Sequence, residues 1–234
     1  MERQLRTIGK ENLSSRAYSE IRNALIDGQY EPGERLTISR LANEMGVSIT
    51  PVREAIFRLV SEGALEMKAA TAVHVPIITA EHLREIQLIR FHLEGAAAGR
   101  AAERITPEQL QALEEIQDRF VTAAALDPKL ASLHNRAFHF GLMAAGNLPT
   151  AYGMLEALWV VMGPLFQIFH LRAAPRDLKK DRHRHEDILN ALRRRDSVAT
   201  REALQADIAW GQIMIDWLEE REQAEWERLR SSLR

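Results

Sequence analysis

The 234-residue chain contains no cysteine. That excludes disulfide staples, thiol catalysis and cysteine-ligated zinc, and it suits a reducing compartment such as the cytoplasm. It also lacks an excess of either charge. With 31 Lys and Arg against 33 Asp and Glu, the net charge is -2. A globally basic nucleic-acid binder is therefore excluded, and any DNA contact must come from a local patch. The first residues, Met1-Glu2-Arg3-Gln4, lack the apolar stretch of a secretory signal. The most apolar run, Ala157 to Phe169, is interrupted by Gly163-Pro164 and falls short of the roughly 20 residues needed to cross a bilayer. It reads as a buried core helix with a kink or break, and no membrane partner is expected. There is no internal repeat and no low-complexity tract. What remains, 46% hydrophobic and 27% charged, is the composition of an ordinary globular protein with room for two domains.

The first 78 residues carry short elements. Met1 to Lys10 reads as a mobile arm. Ala17, Tyr18, Ile21, Ala24 and Leu25 share one face of a helix that Gly28 closes, and Pro32-Gly33 sets a turn. A short helix carries Ile38, Leu41, Ala42 and Met45 inward, and Gly46 ends it in a tight turn. A third helix starts at Ser48, a suitable N-cap, with Pro51 in its first turn. Its inward stripe is Val52, Ala55, Ile56, Leu59 and Val60. Leu65 to Lys68 and Val73 to Val75 then read as two short strands around Ala69 to Ala72. Helix, tight turn, helix and β-ribbon is the order of a winged helix-turn-helix.

From Thr79 to residue 234 no strand candidate occurs. Helices are expected over Glu81–Glu103, from Thr106-Pro107, from Asp127-Pro128 to Ala145, over Thr150–Leu171, Arg176–Arg195 and Val198–Arg230. The expected fold is therefore mainly α: a winged helix-turn-helix over residues 1–78 and an all-α antiparallel bundle of six or so helices over 79–234.

Two sets of residues suggest chemistry. On the third helix the polar side presents Ser48, Thr50 and Arg53. Arg53 suits a bidentate contact to guanine or phosphate, and Ser48 and Thr50 suit phosphate oxygens. In the bundle, Asn135 and His139 are i and i+4 on one helix face, His185 lies on a later helix and Asp207 on the last. Four N/O donors converging from three helices suit a divalent ion such as Zn, Ni, Mn or Fe. The same residues also suit satisfied buried polar positions, and spacing alone leaves both readings open. His82, His92, His134 and His183 are further candidates. His134 is offset from the His139 face and His183 from the His185 face.

Gly28 to Leu36, then Leu41-Ala42, then Gly46-Val47-Ser48-Ile49-Thr50-Pro51-Val52-Arg53-Glu54-Ala55 resemble the GntR family of bacterial regulators across the whole N-terminal domain. The resemblance implies a third helix in the major groove, a wing tip in the minor groove, and a homodimer on a pseudo-palindromic double-stranded DNA operator. Two departures stand out. Ile49 occupies a position that is usually Arg, where it can meet a thymine methyl but no hydrogen-bonding base edge. Thr71-Ala72 replaces the wing's usual Arg-Gly pair. Fewer cationic contacts imply weaker binding with a shallower salt dependence. Phe57 is also unusual on a phosphate-facing helix. Ser39 and Arg40, at the start of the second helix, are candidates for compensating phosphate contacts.

Asn135 to Phe140, followed by His185-Glu186-Asp187-Ile188-Leu189 and Arg201 to Leu204, resemble the helical FCD-type effector domain of the FadR subfamily. The resemblance implies a metal held by Asp or Asn and three His. Here Asn135, His139 and His185 match, and Asp207 stands where the last His would be. It further implies a small organic acid bound beside the metal, with Arg90 as its cationic partner; a structural salt bridge is the alternative role for Arg90, and Trp159, Phe166 and Phe169 suit either an apolar wall or core packing. The expected function is a transcriptional repressor released by a carboxylate metabolite. Two alternatives remain: a metal-free regulator sensing an acyl ligand, and a helical metal-dependent enzyme with an appended DNA domain, although no general base or nucleophile accompanies the cluster.

Overall fold

A computed structural model describes residues 13–68, 72–172 and 184–232. The expected N-terminal arm, the wing tip at Thr71, His183 and the start of the helix expected from Arg176 lie outside those residues.

Helix α1 (Leu13–Ile26) buries Ala17, Ile21 and Leu25, one stripe at helical spacing. Helix α2 (Ile38–Met45) ends at Gly46, whose φ of 65° is a left-handed cap. A side chain is rarely found in that conformation, so glycine fixes the tight turn into the next helix. Helix α3 (Ile49–Ser61) buries Val52, Ala55, Ile56 and Leu59. Ser48 stands at its N-cap in extended conformation, but its hydroxyl makes no capping bond, contrary to the role the sequence suggested.

The ribbon is wider than expected. Strands β1 (Arg35–Leu36), β2 (Glu66–Lys68) and β3 (Ala72–His74) form an antiparallel sheet in the order β1-β3-β2. β1 pairs Arg35 with His74 and Leu36 with Val73. Two residues carry no alternation to read, so β1 is invisible until its partner is placed.

Seven further helices form the bundle among the described residues: α4 (Ala80–Arg104), α5 (Pro107–Ala124), α6 (Pro128–Gly146), α7 (Pro149–Arg172), α8 (His185–Arg193), α9 (Ser197–Trp210) and α10 (Gln212–Ser232). Their starts are chemically specified. Thr106 and Gln109 form a reciprocal capping box, the Asp127 carboxylate accepts from the Lys129 and Leu130 N–H groups, and that of Asp196 accepts from Ala199 N–H. Small residues on α4 let α9 approach closely: Gly95 faces Gln205 and Gly99 faces Ser197.

Two expectations are corrected. The last helix is not continuous; α9 ends at Trp210, with Gly211 as its C-cap, and α10 restarts at Gln212. The Gly163-Pro164 pair does not break α7, which runs through Pro164. By length and composition Pro149–Phe169 is in fact long and apolar enough to cross a membrane, so the length argument against a span fails. Burial is the better argument: Leu155, Trp159, Val160, Met162, Leu165 and Phe169 are all packed inside the protein.

Gly163 instead permits a close approach. A Cβ there would lie 2.3 Å from the Leu25 carbonyl oxygen and 2.7 Å from Ile26 Cα, so α7 rests directly on the backbone of α1. A Gly163→Ala change should therefore destabilise the protein by about 1–3 kcal/mol, by forcing the two helices apart. Gly153, with nothing within 4 Å of its would-be Cβ, should gain up to about 1 kcal/mol on replacement by Ala. Urea unfolding of both variants checks the pair, and equal effects at the two glycines would contradict the contact.

Candidate functional site

The first candidate surface is the exposed side of α3 and the start of α2. Ser39, Arg40, Ser48, Ile49, Thr50 and Arg53 are all exposed, because α3 spends its other face on the core with α1. Arg40 pairs with Glu44 at 2.7 Å. Both side chains are more than half solvent-accessible or close to it, and such a pair is worth little, so Arg40 can be drawn to a phosphate cheaply. Arg58 lies 3.7 Å over the Tyr18 ring and pairs with Glu62 at 3.0 Å, which ties α3 to α1. Two large apolar side chains also face water here, Ile49 at 45% and Phe57 at 52% exposure.

The second candidate is buried in the bundle. Ligand atoms of His139 on α6, His185 at the first turn of α8 and Asp207 on α9 all lie within 4.8 Å of one another. His139 Nε2 is 3.2 Å from Asp207 Oδ2. The other side of each imidazole is held. His139 Nδ1 donates to Glu94 Oε2 at 2.8 Å, and His185 Nδ1 donates to Gln117 Oε1 at 2.7 Å. The His185 ring also stacks on Phe138 with centroids 3.9 Å apart. An acceptor on Nδ1 turns the Nε2 edge of each ring toward the common centre, the arrangement that orients metal-ligating histidines. The donor set, two imidazoles and a carboxylate, fits a borderline divalent ion. Asn135 lies one turn before His139 on the same face of α6 and is half-buried.

Glu94 organises this region. It is fully buried on α4, and its Oε1 accepts from Arg90 Nε at 2.6 Å and from the Trp159 indole N–H at 3.4 Å. Burial by itself would raise its carboxyl, but the charges of Arg90 and His139 and their hydrogen bonds overcome this and hold it down to about 2. For His139, burial opposes the charged form, yet the Glu94 charge and the bonds to Asp207 and Glu94 raise it to about 9. Arg90 is buried, its guanidinium 4.5 Å from the Trp159 ring centroid. Its Nε is already engaged by the Glu94 carboxylate.

Residues 13–75 match the model of bacterial regulatory proteins, gntR family, and residues 85–209 match the FCD domain. The chain belongs to the GntR family of regulators that carry an FCD domain. It is 34% identical over 205 residues to the HTH-type transcriptional regulator McbR of Escherichia coli K12, covering 87% of this chain and 92% of that protein. The solved E. coli McbR/YncC structure superposes with a TM-score of 0.82 at 32% identity, over 89% of this chain and 99% of that one. The E. coli transcriptional repressor RspR is 25% identical over 194 residues, 82% of this chain and 84% of that protein. These relatives are transcriptional regulators, not enzymes, and the enzyme alternative is set aside.

The GntR-family chain thus uses residues that spacing alone did not single out. Glu94 and Gln117 orient the two imidazoles, and Trp159, expected only as apolar wall or core packing, also donates to Glu94. Both polar residues left a trace in the sequence. Glu94 follows Arg90 by four residues on an Ala- and Gly-rich helix, and Gln117 interrupts the inward stripe of Leu113 and Phe120 on α5. Of the other histidines, His82 and His92 are exposed and His134 is half-buried, and none of them joins the group.

The shifted values fix a pH dependence. His139, raised from 6.5 to about 9, contributes stability that is full below about pH 6.5 and lost as pH rises through 9. Glu94, lowered from 4.5 to about 2, contributes stability that is present above about pH 4.5 and lost as pH falls toward 2. With chelator present, thermal midpoints should fall on both sides of a pH 4.5–6.5 plateau, and His139→Gln should flatten the alkaline limb. A divalent ion must displace the His139 proton, so its binding at pH 7.5 should release about one proton. Calorimetry in buffers of different ionisation enthalpy reads this directly, and binding without proton release contradicts it.

Proposed function

We propose that this protein is a repressor in the cytoplasm that binds a double-stranded, pseudo-palindromic operator as a homodimer. Its grip on DNA is set by a small organic acid bound beside a divalent ion, Zn, Ni, Mn or Fe, in the helical domain. Residues 1–78 form the DNA-reading domain and 79–234 the sensing and dimerisation domain. His139, His185 and Asp207 hold the ion with Asn135 at their side, and Arg90, behind Glu94, is the cation offered to the acid. The observation that carries the reading is the paired anchoring of both imidazoles through Nδ1, which prepares two nitrogens for one centre. The retention of the spaced cluster favours this reading over a metal-free acyl-binding pocket. The name of RspR, a repressor, supports the sign of regulation.

On the DNA side, Arg53 contacts a guanine edge or a phosphate, and Ser39, Arg40, Ser48 and Thr50 contact phosphates from the starts of α2 and α3. Ile49 meets a thymine methyl, which an exposed apolar side chain at the first turn of a recognition helix can reach. A ligand alters DNA affinity only through unequal affinity for the two arrangements of the reading heads.

Elemental mass spectrometry on protein purified without chelator tests the ion. Near-stoichiometric metal in the wild type, lost in His139→Ala and His185→Ala, is expected; metal-free protein after incubation with Zn, Ni and Mn would sink the reading. For DNA, operators selected from a random duplex library should contain a thymine whose replacement by uracil weakens the wild type several-fold and leaves Ile49→Ala unaffected. Indifference of the wild type to every such replacement would remove Ile49 from the readout.

A further inference from the structure

The joint between the reading head and the bundle is built from the same helices that carry the buried group. On α7, Trp159 donates to Glu94 and its ring lies 5.4 Å from that of His139. The next residue, Val160, is 2% exposed and belongs to the core of the N-terminal domain with Ile21, Leu25 and Val52. One turn further on, Gly163 seats α7 on the α1 backbone at Leu25 and Ile26, and Gln167 meets Gly28. The connection has a second strand. Arg136 sits on α6 between Asn135 and His139, and its guanidinium pairs with Asp27 at 2.7 Å. A third tie runs from Glu156 to Arg22 at 3.4 Å. The last two turns of α1 and its Asp27-Gly28 cap are therefore held from α6 and α7 together. A small cleft at this joint is bordered by Asp27, Arg136, Trp159 and Phe166.

We propose that Trp159 and Arg136 are positioning residues that transmit the state of the His139–His185–Asp207 group to α1. This rests on the reading that the group takes a divalent ion. An ion at the centre would take the place of the proton between His139 Nε2 and Asp207 Oδ2, 3.2 Å apart, and would draw these atoms and that of His185, all within 4.8 Å of one another, to a bonding distance of about 2.0–2.2 Å from one point, which shifts the rings. The His139 ring is bonded through Nδ1 to Glu94, and Glu94 to the Trp159 indole, so a displaced ring carries α7 with it. Arg136, three residues before His139, moves with α6. No compliant side chain stands between α7 and α1 at Gly163, so the shift passes to the α1 backbone. From α1 it reaches α3 through the shared core and through Tyr18, whose hydroxyl donates to Glu62 at 2.7 Å. Packed interfaces of this kind switch between discrete arrangements, which is what coupling between two sites needs.

Hydrogen–deuterium exchange on the full chain tests this, comparing chelator-treated protein with protein loaded with Zn, Ni or Mn. Loading the wild type should change exchange in peptides covering residues 20–30 by several-fold, beside the change around His139. Trp159→Phe keeps the ring and loses the indole donor; Arg136→Gln breaks the tie to Asp27 and leaves the group untouched. At a metal concentration that elemental analysis shows to load it fully, each variant should lose most of the response at residues 20–30. The second variant stands if the first does not fold. A loaded wild type that responds only around His139 and His185, or variants that respond as the wild type does, would overturn the proposal. A wild type that takes up no metal, which elemental analysis reports separately, would overturn the metal reading and this inference with it.

Discussion

A carboxylate with no access to water must be surrounded by donors, and Glu94 is such a group. It lies on the Ala- and Gly-rich face of α4, where nothing local can satisfy it beyond Arg90. The remaining donors come from His139 on α6 and Trp159 on α7. One negative charge thereby fixes the relative placement of three helices, and His139 extends the constraint to Asp207 on α9. Removing one partner of such a pair typically costs about 3–5 kcal/mol, whereas replacing the whole set by apolar residues can be neutral. Stability alone therefore does not account for the arrangement. Its distinctive product is geometric: an imidazole held by one nitrogen, with the other aimed at a second imidazole and a carboxylate.

The reading surface follows a different logic. Its scaffold is an ordinary helix-turn-helix core in which α1 and α3 share Ile21, Leu25, Val52, Ile56 and Leu59. What varies is the exposed side, where Ile49 and Phe57 stand among Ser48, Thr50 and Arg53. Those two apolar side chains cannot contact phosphate favourably, whereas an exposed apolar side chain can meet the thymine methyl groups of a major groove.

Much of this was legible in the residue order. Helical stripes and caps such as Thr106 with Gln109 marked the elements, and the spacing of His139, His185 and Asp207 marked three members of the buried group. The failures share a cause. β1 has two residues and exists only because β3 lies beside it. Pro164 suggested a break, yet α7 continues through it, and Gly163 acts through contact with a helix more than 130 residues away in sequence. Glu94 and Gln117 escaped notice because their partners are 45 and 68 residues distant. Local propensity marks where a helix begins; it does not say which buried polar groups will meet once the helices pack.

The measurement that tests the account most directly is the divalent-ion dissociation constant of Glu94→Gln beside that of the wild type, with circular dichroism to verify that the bundle is intact. If Glu94 holds His139 as a metal ligand, the variant should bind roughly 10–100-fold more weakly while keeping all three candidate ligands. An unchanged dissociation constant in a folded variant would mean that Glu94 does not prepare the site, and the central claim would fail.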